Sequence, residues 1–279
     1  MCNLYAMTSG QQAIRDLAGA VQDMTGNLPM LPAIFPDMAA PIVRHGAAAD
    51  AASEDRTVAL AQNRTLALAQ NRTLALAQNR TLALAQNRTL ALAQNRTLAL
   101  ARWGMPSPAF ALAGKNADRG ITNVRNTASP HWRRWLGPEY RCLVPFTSFS
   151  EHGPAPAGHG LAAGTPAPIW FALDEDRPLA FFAGIACAFT GVRRVSEGPV
   201  ATDVFAFLTT TPNAEVAAVH PKTMPVILTT PEEWQTWLDA PWNEARTLQR
   251  PLPDGRLRVV AAGLKQDGAA PKGPPHARS

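Results

Sequence analysis

The chain has little cysteine. Only Cys2, Cys142 and Cys187 occur in 279 residues. Three cysteines at such wide spacing exclude a disulfide framework and a zinc-binding pattern. Cys142 and Cys187 lie in apolar runs, RCLVPF and GIACAF, where a free cysteine ordinarily just packs. His131, His152 and His159 have no coherent ligand spacing, so no metal is assigned. Long apolar runs are also lacking. No stretch reaches the ~18 residues of a membrane helix. The start, MCNLYAMTSGQQ, has neither a basic segment nor an apolar one, so it does not read as a secretory signal. A soluble, reducing, cytoplasmic setting is expected. What is present is an ordinary globular composition, 46% apolar and 7% aromatic. Proline is frequent (25 residues), which argues against long uninterrupted helices.

The formal charge is +5, but it is poor evidence of an acidic partner. Five Arg come from one repeated octapeptide that holds no acid, and without them the chain is neutral. Local charge says more. Arg102, Lys115, Arg119, Arg125, Arg133, Arg134 and Arg141 face only Asp118 and Glu139 across that stretch. Such a cluster is either a solvated face or a nucleic-acid footprint.

The octapeptide AQNRTLAL occurs five times without change over 61–100, and ARW follows it. Identical copies point to tandem duplication of one strand-like segment, RTLALARW. Leu66 and Leu68, then Leu74 and Leu76, alternate as in a strand and give a helix no apolar stripe. Ala, Leu, Gln and Arg nevertheless favour helix. A protruding helical or poorly ordered insertion is the expectation, with solenoid packing as the alternative.

Outside it, strands read at 140–146, 168–174, 179–187, 203–210, 225–228 and 256–262, each apolar or alternating and bounded by Gly, Pro or Asp. Helices are expected after Ser9, which can cap GQQAIRDLAGAV, at PNAEVAAVH with Pro212 in its first turn, and at PEEWQTWLD with Thr230 as cap and Glu232 and Glu233 at the N-terminus. Strands mostly follow strands, so the fold class is α+β with a largely antiparallel sheet or barrel-like core. A single domain over 2–262, interrupted by 61–100, would end in a disordered tail at 263–279, rich in Gly, Pro and Lys.

Cys2 carries the sharpest chemistry. Initiator methionine is normally removed before a small residue. Cys2 would then bear an α-amine and a thiol on adjacent carbons. The amine, at pKa ~7.7–8.0, is partly neutral near pH 7. The thiol, at ~8.5, is the stronger nucleophile once ionised. An aldehyde meeting this pair forms a Schiff base, and the thiol then closes a five-membered thiazolidine by an intramolecular step. Ring-opened abasic deoxyribose is such an aldehyde. Taken alone, Cys2 is better read as an accident of position.

Five segments change that reading: MCNLYAM at the start, ARWGMPSP at 101–108, TNVRNTASP at 122–130, RCLVPFTSFSE at 141–151 and HPKTMPVIL at 220–228. In this order they resemble the SOS-response-associated peptidase (SRAP) family across most of the chain outside 61–100. The resemblance implies that Cys2 is the covalent nucleophile. Asn123-Val124-Arg125 matches the family's N-A-R motif, whose Asn positions the terminal residue and the sugar and whose Arg contacts phosphate. Ser148-Phe149-Ser150-Glu151 matches G-F-Y-E and makes Glu151 the catalytic carboxylate. His220 to Val226 matches H-x-R-M-P-V, with His220 in the catalytic place.

These roles suit the chemistry. Opening the sugar and dehydrating a carbinolamine both need proton transfer, which Glu151 can supply if burial raises its pKa. A neutral His220 can hydrogen-bond a sugar hydroxyl. Lys222 would add a second phosphate contact, although HPKTMP is one residue longer than the family spacing. Trp103 and Phe110 could stack on or wedge a base, with core packing the stronger reading for Trp103. The sequence departs from the family at Asn3-Leu4, where C-G-R is usual, at Asn126-Thr127-Ala128, which lacks an acid, and at Ser148-Phe149-Ser150-Glu151-His152 in place of G-F-Y-E-W.

The resemblance thus implies an abasic site processing protein that crosslinks to single-stranded DNA and shields the lesion in the DNA-damage response. No cofactor is needed, and no membrane partner is implied. A cysteine N-terminal-nucleophile amidohydrolase and a non-enzymatic single-stranded DNA-binding module are the alternatives. The family name implies a peptidase, in one reading limited to self-processing that exposes Cys2.

Overall fold

The longest apolar run sets the architecture. AFFAGIAC is buried on both faces, as a strand in the middle of a closed sheet must be. In the computed structural model, which describes residues 2–46 and 96–267, it opens a strand from Ala180 to Val192.

In chain order the strands are β1 (Leu4–Met7), β2 (Gln22–Asp23), β3 (Leu31–Ile34), β4 (Ala39–His45), β5 (Arg96–Trp103), β6 (Asn123–Val124) and β7 (Arg141–Phe146). They continue as β8 (Ser148–Pro154), β9 (Pro166–Ala172), β10 (Ala180–Val192), β11 (Pro199–Thr210), β12 (Met224–Pro225), β13 (Ile227–Leu228) and β14 (Arg258–Ala262). The helices are short: α1 (Gln11–Ala18), α2 (Ala109–Leu112), α3 (Pro130–Arg133), α4 (Ala214–Ala217), α5 (Pro231–Asp239) and α6 (Trp242–Ala245).

β4, β5, β11, β10 and β7 close into a five-stranded barrel. Four of its five seams are antiparallel. The fifth, between β5 and β11, is parallel and pairs Phe205 with Trp103. A second antiparallel sheet runs β14-β9-β8-β1-β3 and packs Tyr5 of β1 edge-on to Trp103, with ring centroids 5.1 Å apart. Phe146 and Phe182 stack at 3.9 Å within the same core. The fold is therefore α+β in a single domain with a largely antiparallel barrel core. Closure leaves the barrel without free edges, which suits a chain so rich in short strands.

Several local expectations need correction. Residues 96–103 form β5, whose Arg96 to Ala99, Ala101 and Trp103 are buried. The end of the fifth octapeptide is thus core strand. The barrel supplies the lateral hydrogen bonds that outweigh its helix propensity. The earlier part of the repeat lies outside the described residues. Helix α1 is capped by Gly10, with no side-chain cap, and not by Ser9. At α4 the cap is Asn213, whose side chain accepts from the Val216 amide, so Pro212 precedes the helix. Two residues of 264–267 are tied to the fold: the Trp170 indole donates to the Leu264 carbonyl, and Asp267 is buried on Arg177 and Ser148. The remainder of the tail lies outside the described residues.

The basic stretch does not form one face. Arg141 is fully buried and donates to the Trp237 carbonyl at 2.6 Å, while Arg102 pairs with Asp37 and Glu197.

Helix α5 begins as expected. The Thr230 hydroxyl accepts from the Glu233 amide, and Glu233 reaches back to the Thr230 amide in a complete capping box. Thr230→Ala should cost about 1 kcal/mol, read as a lower midpoint in urea with an unchanged slope.

Candidate functional site

β1 carries the start of the chain alongside β8. Leu4 pairs with Ser150 and Ala6 with Ser148. That register brings Cys2, two residues ahead of Leu4, beside Glu151. Cys2 is fully buried, and its thiol donates weakly to the Leu4 carbonyl at 3.5 Å.

β6 approaches from the other side. Its parallel pairing with β11, Asn123 opposite Phe207, fixes the Asn123 side chain. The Asn123 amide nitrogen donates to the Cys2 carbonyl at 2.9 Å and to Thr122 Oγ1 at 2.8 Å. Asn123 Oδ1 is buried and has no hydrogen-bond partner among the described residues. An unmet buried acceptor is costly, so it favours an N–H or O–H donor arriving at that point.

His220 closes the site. It follows α4, and its Nδ1 lies 4.0 Å from Glu151 Oε2. This approach depends on Gly153 in β8, where a side-chain carbon would overlap the Val219 carbonyl. Glu151 is only 3% exposed on its side chain yet borders a pocket of about 370 Å³. Leu4, Phe35, Pro36 and Pro168 give the pocket an apolar wall, and Glu151 and His220 give it a polar one. Its size is that of a small-molecule or single-nucleotide site.

Burial pushes the Glu151 carboxyl up to about 7, against the opposing pull of the positive chain terminus. A carboxylic acid poised there can both give and take a proton near neutrality. Burial also raises the Cys2 thiol well above its ordinary value, and the Glu151 charge adds to this. The thiol therefore starts protonated. Burial, the chain terminus and Lys222 lower His220, which keeps its imidazole neutral.

The structure thus brings Cys2, Asn123, Glu151 and His220 to one place. Arg125 and Lys222, 97 residues apart, also meet, since the Arg125 guanidinium donates to the Lys222 carbonyl at 2.8 Å. Both side chains are exposed. Phe110 is 84% exposed on α2. Trp103 is not. It is fully buried, stacks on Phe207 at 5.1 Å and donates its indole N–H to the Thr122 carbonyl, so it belongs to the core and offers no face to DNA. The sequence reading missed Phe35, which is 43% exposed in the pocket wall. A single aromatic before Pro36 carries no pattern from which its exposure could be read.

Among the described residues no helix is long and apolar enough to cross a membrane. The chain is similar in fold to a phage-related protein of Bordetella bronchiseptica, at 18% identity and a TM-score of 0.51 over 92% of each chain. It is also similar to a protein of Bacteroides thetaiotaomicron, at 23% identity and a TM-score of 0.44 over 58% of this chain and 68% of the other. Comparison with curated proteins gives no match. The sequence profile described as SOS response associated peptidase (SRAP) matches residues 1–263, nearly the whole chain and every segment of the site. The chain therefore belongs to the SOS response associated peptidase family, which ties it to the DNA-damage response.

Proposed function

We propose that this protein captures abasic sites in single-stranded DNA as a thiazolidine on Cys2. Removal of Met1 leaves an α-amine on the residue that Asn123 holds. The neutral amine attacks the C1′ aldehyde of the ring-opened sugar and gives a carbinolamine. Glu151, protonated below about 7, delivers a proton to the departing hydroxyl, so water leaves and an imine forms. The Cys2 sulfur then adds to the imine carbon, and its proton ends on the ring nitrogen. One aldehyde and one aminothiol give one ring and one water. The step needs no cofactor.

The observation that carries this reading is the convergence on Cys2 itself. Asn123 grips its carbonyl, and a raised carboxyl and a neutral imidazole stand beside it. Asn123 Oδ1 is the acceptor for the freed amine or a sugar hydroxyl. Arg125 and Lys222 offer phosphate contacts at the rim, and Phe110 and Phe35 offer stacking faces. Single strands fit because the aldehyde must reach a recessed residue.

The family name favours a second reading, in which the same thiol cleaves amide bonds with the α-amine as base. Incubation with an abasic oligonucleotide separates the two. The proposal expects a DNA-bound species that survives denaturation, with a mass equal to protein plus DNA minus water. Peptide turnover without such a species would sustain the hydrolase. Intact mass of the protein checks the premise, and retention of Met1 would end the proposal.

A further inference from the structure

Pro36 separates two depressions. One is the pocket at Glu151 and His220, and the other is a cavity of about 600 Å³ on its far side, also lined by Pro36. Arginines dominate the second. Arg119, Arg193 and Arg194 line it, and Arg102 stands behind them.

The cluster is built on Asp37, in the turn between β3 and β4. Asp37 adopts φ 70°, a strained conformation for a residue with a side chain. Its carboxylate receives Arg102 at 2.8 Å, Arg193 at 3.1 Å and Arg194 at 2.7 Å. Glu197 takes a second pair of bonds from Arg102, at 2.7 and 3.1 Å. Three guanidinium groups thus meet two carboxylates, and Arg119 lines the same cavity as a fourth arginine, so arginines outnumber these acids by two.

Arg193 is held rigidly. A side-chain carbon at Gly104 or Gly120 would overlap its guanidinium, and its Nη2 donates to the Arg119 carbonyl at 3.1 Å. Its Nη1 is buried with no hydrogen-bond partner among the described residues, so one N–H donor at the floor is unmet. Arg194 is 60% exposed. Arg119 is exposed and forms no ion pair among the described residues. A merely structural tie between β5, the Asp37 turn and the β10–β11 hairpin needs Arg102 and Arg193. It does not require Arg119, which lines the cavity with no ion-pair partner among the described residues.

We propose that this cavity binds a phosphodiester of the strand whose damaged nucleotide occupies the neighbouring pocket, with Arg119 and Arg194 as its ligands. The inference rests on the proposed function for the direction of the strand. Its test does not require the covalent step. The probes are undamaged oligo-dT of twelve nucleotides, followed by fluorescence anisotropy, and abasic oligonucleotides of three and twelve nucleotides, followed on denaturing gels.

Arg119→Gln with Arg194→Gln should weaken oligo-dT binding about tenfold, the worth of one lost charge-assisted contact. It should lower the slope of log affinity against log salt by about 0.7. The adduct rate on the three-nucleotide probe should not change, whereas the gain from the longer probe should shrink. Arg119→Gln alone, which breaks no ion pair, should show part of both effects and guards against misfolding of the double variant. Oligo-dT binding and salt slope equal to wild type would overturn the subsite. So would an equal loss on both abasic probes. Thermal stabilisation by inorganic phosphate, without any change in oligo-dT binding, would mark a site for a free anion and overturn it as well. Absence of any adduct in the wild type would count against the proposed function, not against this subsite.

Discussion

Cys2→Ser should form no adduct that survives denaturation. Serine is small, so Met1 removal should proceed and leave the α-amine in place. The imine can then still form, but the hydroxyl cannot close a stable ring on it. The expected result is loss of the denaturation-resistant band to background. A band should return only when borohydride reduces the imine. Wild-type protein should give the stable band without reductant. A resistant species from Cys2→Ser would remove the thiol from the mechanism. Failure of the borohydride trap would remove the amine. Folding should be little affected, because sulfur and oxygen differ mainly in a weak bond to the Leu4 carbonyl.

Glu151→Gln should slow adduct formation by roughly 10²–10⁴-fold, the usual worth of a positioned acid or base. The pH dependence identifies which. The carboxyl is raised to about 7 by burial, so it is protonated below that pH and ionised above it. If it donates the proton that releases water, the wild-type rate should rise as the amine loses its proton and then fall above about 7. The variant lacks the falling limb. The ratio of wild type to variant should therefore be largest near pH 6 and shrink toward pH 8. A ratio flat across this range would reduce Glu151 to a structural group. A ratio that grows with pH would make it a base.

The same shift affects stability. A carboxyl whose pKa is raised on folding binds more protons in the folded chain than in the unfolded one. Wild type should lose stability as pH climbs from the ordinary carboxylate range through about 7. Glu151→Gln has no such loss, so its melting temperature should gain on wild type between pH 5 and pH 8. The two readouts are independent, because one follows rate and the other the folded state alone.

Much of the fold was legible in local pattern. The strands at 141–146, 180–192 and 199–210 cover the runs read from apolar content to within one residue, and Thr230 caps its helix as expected. These signals are local: a residue's neighbours in sequence decide them. The short strands β1, β3 and β6 were not legible, since two to four residues carry no period. Ser9 was read as a helix cap and Pro212 as a first-turn residue, but the caps fall later, at Gly10 and Asn213. The RTLALARW segment shows the limit most plainly. Its composition favours helix and its alternation favours strand, and only partners on both sides, β4 and β11, decide for strand.

By itself the sequence determined which groups are available: a cysteine at the second position, one carboxylate and one imidazole in recognisable motifs, and no disulfide or zinc pattern among three cysteines. Only the tertiary structure decided where those groups meet. Pairing of β1 with β8 and of β6 with β11 joins residues up to 121 positions apart, giving the Asn123 amide its bond to Cys2. Burial, which no linear pattern records, then raises Glu151, keeps His220 neutral, removes Trp103 from the surface and leaves Phe35 upon it. Desolvation depends on what surrounds a group in three dimensions, and that is settled only when the barrel closes.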